Sequence, residues 1–194
     1  MGLNILFEDD YVLVVKKDAG IPVQAGKLRM MDLQGLIKNE LYRRNRKGGE
    51  PYLGLIHRLD QPVEGVMVFA KTPFAAANLS EQVNDGHMKK HYLALLCGKP
   101  DSDSGKLVDY LIKDGRTNTS SVVTEYTKEA KRSELNYQVL KRNETTTLVE
   151  VELITGRHHQ IRVQMANAGW PLYGVTKYNL QFQDVTEPVQ TALC

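Results

Sequence analysis

"HRLDQPVEGVMVFAK", His57 to Lys71, joins a charged segment to an apolar one. Between Gly65 and Lys71 stand Val66, Met67, Val68, Phe69 and Ala70, all apolar and two of them valines. That run predicts a buried strand. Asp60 lies two residues after Arg58 and two before Pro62, so it falls in a loop that leads into the core. Loops fixed by a rigid strand are common places for chemistry. The plainer reading is an Asx turn around Pro62. This segment alone leaves both readings open.

Working outward, "YVLVV", Tyr11 to Val15, predicts a first strand. Leu33, Leu36, Ile37 and Leu41 recur at helical spacing, which predicts a helix from Asp32 to about Arg44. "RRNRKGGEP", Arg43 to Pro51, is basic and glycine-containing, as an exposed loop would be. "TPFAAANLSEQVNDG" offers Thr72 as an N-cap, Pro73 at the first helical position and Gly86 as the stop. His91 to Cys97 predicts a strand, and Gly98 to Gly105 a polar loop. Further strands are expected near Ser121 to Tyr126, Glu134 to Leu140 and Thr146 to Leu153. "HHQIRVQMANAG" predicts a helix stopped by Gly169. Strands outnumber helices and several are neighbours in sequence. The expected class is α+β, with a largely antiparallel mixed sheet flanked by helices.

The 194 residues suffice for one domain with a full core. Residues 1–194 are expected to form one catalytic domain, with an atypical tail from about 179. A net charge of +2 permits a polyanionic partner without demanding one. The two cysteines, Cys97 and Cys194, form no metal spacing and suit a reducing compartment. There is no apolar run of membrane-spanning length and no signal-peptide pattern at the start. The expectation is a soluble, cytoplasmic monomer with no membrane association.

Three ionisable residues stand beside apolar segments: Asp60, Tyr92 in "YLALL", and Arg162 between Ile161 and Val163. A buried carboxylate needs a partner, and arginine can give it two parallel hydrogen bonds. So held, Asp60 would stay ionised and could act as nucleophile or base, with a tyrosine to orient it or move a proton. A structural ion pair beside a core tyrosine fits the same residues. Metal chemistry finds little support. His87 and His91 lack a third ligand at a recognisable spacing, and "HMKKH" lacks the glutamate of HExxH. No phosphate-binding glycine loop and no GxSxG elbow occurs, so no cofactor is expected.

Four segments in order resemble the RluA family of RNA pseudouridine synthases. They are "EDDYVLVVKKDAGIPV", "HRLDQPVEGVMVFAKT", "KKHYLALLCG" and "LITGRHHQIRVQMANAGWPLYG". The second matches HRLD-x-x-[TV]-x-G followed by a hydrophobic strand. The fourth matches TGR-x-HQIR. The resemblance covers roughly residues 5 to 178, judged from the matching segments. It implies an RNA isomerase with Asp60 as catalytic aspartate, Tyr92 as active-site tyrosine and Arg162 as the aspartate's partner. It further implies Leu172 lining the uracil pocket and Arg58 entering the RNA to help displace the target base. His57, Arg157 and Gln160 stand in the same motifs as candidate substrate contacts. Candidates for the RNA backbone are Lys17, Arg43, Arg44, Arg46, Lys47, Lys71, Lys89 and Lys90. Ordinary solvated charge would explain the 43–47 loop equally well.

Several positions depart from the family pattern. Glu64 adds a negative charge near Asp60, His158 replaces a frequent Thr or Ser, and Gln164 replaces a frequent His. Val175 replaces a frequent Asp, and the chain after Tyr178 lacks the family's final strand pattern. No S4-type RNA-binding domain is expected before the catalytic segment. The expected reaction breaks the N1–C1′ bond, turns the uracil and joins C5 to C1′, on ribosomal or transfer RNA. The target uridine must first leave its stack, at a cost of a few kcal/mol. Two other readings stand beside this one. One is an RNA-binding protein of the same fold without catalysis. The other is a glycosidic-bond hydrolase using a second acid such as Glu64.

Overall fold

The computed structural model describes residues 2–24, 31–46, 49–182 and 191–194. The chain folds as two compact units, Met1–Met88 and Lys89–Cys194. Every strand pair among the described residues is antiparallel, as the α+β reading expects. The strands form two sheets.

The first unit has a four-stranded sheet in the order β1-β2-β4-β3. Its strands are β1 (Asn4–Glu8), β2 (Val12–Lys17), β3 (Gly54–Leu55) and β4 (Gly65–Ala70). Alternation along β2 and β4 sends Leu13, Val15, Met67 and Phe69 to one face, where all four are fully buried. Helix α1 (Leu33–Arg44) adds Leu33 and Ile37 to that cluster, about 1.5–3 kcal/mol of burial for each side chain. Asp32 caps α1 by accepting from Gly35 N at 2.6 Å. Helix α2 (Pro73–Asn84) starts as its sequence predicts: Thr72 Oγ1 accepts from Ala75 N at 3.1 Å and Pro73 opens the first turn. It packs against β4 and β3.

The second unit has a five-stranded sheet in the order β5-β9-β8-β6-β7. These are β5 (Lys90–Cys97), β6 (Ser104–Asp114), β7 (Thr119–Val123), β8 (Lys131–Arg142) and β9 (Thr146–Leu153). Its inner face carries Ala94, Leu96, Leu135, Val149 and Val151, all fully buried. Helix α3 (Gln160–Asn167) lies against β6 and β7. Gly105 faces Tyr137 across the sheet, and a methyl group there would sit 2.7 Å from the ring. Tyr137 also meets Trp170 edge-on, with ring centroids 5.6 Å apart.

Three strands escape the sequence reading, among them the two-residue β3 (Gly54–Leu55). In β1 a bulge between Ile5 and Phe7 breaks the alternation that would have marked it. β6 is only half-buried along most of its length and carries Lys106, Asp109 and Lys113 among its apolar residues. Helix α3 begins at Gln160, two residues later than His158, because His159 is held in the left-handed conformation at φ 53°. Arg43 and Arg44 belong to the last turn of α1 and not to the loop. Of the tail from 179, residues 183–190 lie outside the described residues, as does Lys47. The segment after Tyr178 forms a 3-10 helix (Leu180–Phe182). Residues Ala192 to Cys194 run antiparallel along β5: Leu93 and Cys194 exchange both backbone hydrogen bonds, at 2.7 and 3.0 Å.

Candidate functional site

In the first unit, Asp60 opens a hydrogen-bonded turn that ends where Val63 N donates to its carbonyl at 3.0 Å. The side chain is half-buried, between exposed Arg58 and buried Val63. His57 Nε2 accepts from Val68 N at 3.3 Å, which ties the start of the HRLD segment to β4.

The turn is fastened from beneath by Lys17, at the end of β2. Lys17 is fully buried. Its ammonium donates to the carbonyls of Asp18 at 3.0 Å, Gln61 at 3.1 Å and Val63 at 2.6 Å. Gly20 and Gln61 add a reciprocal pair: Gly20 N donates to Gln61 O at 2.8 Å, and Gln61 Nε2 donates to Gly20 O at 3.0 Å. Burial lowers the Lys17 pKa to about 8, against the opposing pull of Asp18, Asp60 and Glu64. Lys17 is therefore corrected from an RNA-backbone candidate to a buried support of the Asp60 turn. Glu64, the departure that adds charge here, is met by Lys16 Nζ at 3.7 Å.

In the second unit, Tyr92 lies half-buried on β5, on the same face as Lys90, Ala94 and Leu96. Lys90 is also half-buried, which lowers its pKa, and its ammonium rests 3.4 Å from where a side chain at Gly156 would begin. Gly156 sits in the turn between β9 and α3, which Gln160 organises. Gln160 Oε1 accepts from Thr155 Oγ1 at 2.8 Å and from Arg157 N at 2.9 Å, while its Nε2 donates to Glu134 O at 3.0 Å. With three such bonds and 2% exposure, Gln160 is corrected from a substrate contact to the internal brace of this turn. Arg157 is exposed, and its Nε donates to Arg132 O at 3.1 Å.

Arg162 follows on the buried side of α3, 6% exposed. Its guanidinium carbon lies 5.4 Å from the centroid of the Tyr178 ring. Leu172 is buried and bridged to Leu96 on β5, and its carbonyl accepts from Asn179 Nδ2 at 3.1 Å. Sequence reading gave Tyr178 no role. It stands in "VTKYN", which carries no pattern beyond the aromatic itself.

Several basic candidates hold acids. Arg43 and Arg44 both bond Glu40, at 2.9 and 2.8 Å. Their guanidiniums hold its carboxyl down to about 2. Arg44 and Lys71 reach Glu8 at 2.8 and 2.9 Å, and Lys89 reaches Glu152 at 3.3 Å. Arg46 is exposed. The exposed pairs among these are weak, whereas Lys71 and Glu8 are both half-buried. Among the described residues, no group of three or more His, Cys, Asp or Glu is placed to hold a metal, and no helix is long and apolar enough to cross a membrane.

Comparison with known proteins places this antiparallel α+β architecture among proteins named RNA pseudouridylate synthases. A family model described as RNA pseudouridylate synthase matches residues 11–167. The ribosomal large subunit pseudouridine synthase D of Nitrosomonas europaea is 36% identical over 177 residues, covering 91% of this chain and 49% of that one. The ribosomal large subunit pseudouridine synthase C of Yersinia pestis is 36% identical over 185 residues, covering 92% of this chain and 55% of that one. Among solved structures, human RNA pseudouridylate synthase domain containing 4 superimposes with a TM-score of 0.77 at 26% identity, covering 91% of this chain and 69% of that one. The chain belongs to the RNA pseudouridylate synthase family, and the RluA resemblance read from its motifs is borne out. It spans about half the length of these curated relatives.

Proposed function

We propose that this chain isomerises uridine to pseudouridine in RNA, with Asp60 as its catalytic carboxylate and Tyr92 and Arg162 as further catalytic residues. The observation that carries the reading is the fastened Asp60 turn, HRLD on a buried ammonium, in a chain of this family. A carboxylate acting on a sugar or base must hold its position through bond breaking and bond making. The N1–C1′ bond breaks, the uracil turns, and a C5–C1′ bond forms. C5 gives up its proton and N1 ends with one. Asp60 acts as nucleophile or base, and the balance requires no external oxidant or reductant. Arg58 and Arg157, both exposed, are proposed RNA contacts, with Lys90 reaching a phosphate. The names of the curated relatives favour ribosomal RNA as substrate, with transfer RNA the alternative.

The test is tritium release from RNA labelled at uracil C5, since C5 loses its hydrogen only when the new C–C bond forms there. Wild type is expected to release tritium from ribosomal RNA, and Asp60→Ala to release none while still binding RNA. Substantial turnover by Asp60→Ala would remove the aspartate from the mechanism. Binding without release by wild type would favour an RNA-binding protein that keeps the fold. Free uracil as product would make it a hydrolase.

A further inference from the structure

Tyr178 lies beyond residue 167, where the family match ends, yet it is a junction of the second unit. Its hydroxyl accepts from Ser120 N at 2.8 Å and bonds His159 Nδ1 at 2.7 Å. The His159 ring stands nearly perpendicular to the Tyr178 ring, at 84°. His158 stacks on His159 at 3.8 Å. His158 is itself held, its Nδ1 2.9 Å from Ser120 Oγ and its Nε2 3.1 Å from Asn118 Oδ1. Ser120 Oγ also donates to His158 O at 2.9 Å, and Lys177, one residue before Tyr178, donates to Asn118 O at 2.9 Å. The start of β7, the turn before α3 and the 177–178 segment are therefore laced together around one phenol.

The other end of that phenol faces Arg162. A guanidinium is a flat cation on a long stem with several rotamers, and an aromatic face beside it selects one plane. At 5.4 Å from the ring centroid, Arg162 is within cation–π reach. A ring anchored through its hydroxyl cannot follow the cation if the cation moves. The cation must conform to the ring.

We propose that Tyr178 is a positioning residue for Arg162: Ser120 and His159 fix the phenol, and the phenol fixes the plane of the guanidinium. The consequence for catalysis rests on the proposed reading of Arg162 as a catalytic residue. The contact itself does not.

Tyr178→Phe and Tyr178→Leu in the full chain separate the ring from its anchor. The first measurement is nuclear magnetic resonance of the arginine side chains, with Arg162 assigned by its loss in Arg162→Lys. Wild type should show an Overhauser contact between the Tyr178 ring and the Arg162 guanidinium protons, and its absence would overturn the proposal. The Arg162 signal should be ring-shifted in wild type and in Tyr178→Phe, and should return to the ordinary arginine position in Tyr178→Leu. An unmoved signal in Tyr178→Leu would overturn it too. The second measurement is tritium-release kinetics. Tyr178→Leu should lower kcat about tenfold or more with KM for RNA within about twofold, as a misaligned group does, and Tyr178→Phe, which keeps the ring and loses its anchor, should fall between the two; Phe equal to wild type would refute the anchor. Equal kcat in wild type and Tyr178→Leu, or Phe no better than Leu, would refute the positioning role. If wild type released no tritium, the functional reading would fall while the resonance still decided the contact.

Discussion

The turn carrying Asp60 and the turn carrying Arg157 solve one problem by opposite means. Each must hold a loop still at the end of a sheet, and each leaves backbone carbonyls that need donors. The Asp60 turn uses one buried ammonium, Lys17, for the carbonyls of Asp18, Gln61 and Val63. The Arg157 turn uses uncharged groups, the Gln160 amide and the Thr155 hydroxyl, each bonded more than once. A charge makes stronger hydrogen bonds than a neutral donor but carries a desolvation cost and a pKa. The neutral brace is indifferent to pH and shares its work among several atoms. One loop is held chiefly by a charge, with the Gly20–Gln61 pair beside it, the other by neutral groups alone.

The largest effect expected from this contrast is on Lys17. Lys17→Met fills the space but strips a donor from three carbonyls, of which Gln61 O alone keeps another, Gly20 N, at a cost of about 3 kcal/mol. Urea unfolding measures it, and a loss below about 1 kcal/mol would mean that the buried charge is not what holds the turn.

The same pair of proteins gives a pH test. In the folded state Lys17 loses its proton near pH 8, whereas an unfolded lysine does so at about 10.4. Between those values the unfolded chain binds more protons, so wild-type stability should rise with pH relative to Lys17→Met. Parallel stability curves from pH 7.5 to 10.5 would contradict the buried, charge-suppressed lysine (range chosen to bracket the two values).

Gln160→Ala comes next. It opens the brace at Thr155 Oγ1, Arg157 N and Glu134 O together, for about 2 kcal/mol, with no dependence on alkaline pH. A pH-dependent loss there would erase the distinction between the turns. The smallest effect belongs to Ser120→Ala. It removes the hydroxyl contacts to His158 but keeps the backbone donor to Tyr178, so about 1 kcal/mol is expected by thermal melting. A much larger drop would place the strength of this region in Ser120 and not in Gln160.

What the sequence made legible follows the same division. The Asp60 loop could be read because five apolar residues after Gly65 announce β4, which is buried at Met67, Phe69 and Ala70. Thr72, Pro73 and Gly86 announced α2 because capping is local chemistry. Lys17 was misread because a lysine in a sequence says surface. Its burial depends on carbonyls 44 and 46 residues away. Gln160 was misread as a contact for the same reason, since its main partners include Glu134, 26 residues back. Tyr178 was missed because its meaning lies in Ser120 and Arg162, on two other elements. β1 and β6 were hidden by a bulge and by half-burial, which remove the alternation that reports a strand.

The strip along β5 has one more consequence. Ala192 to Cys194 and Pro171 to Tyr173 occupy the outer edge of that strand between them, taking the amides of Leu93, Leu95 and Cys97. An open edge of alternating donors and acceptors is a template for any other extended chain. With leucines at 93, 95 and 96, this edge would be an adhesive one. A form of the protein lacking residues 191–194 would keep Asp60 and Arg162 yet expose that template, and its first defect would be colloidal: strands of separate molecules zipping together well before any chemistry was lost.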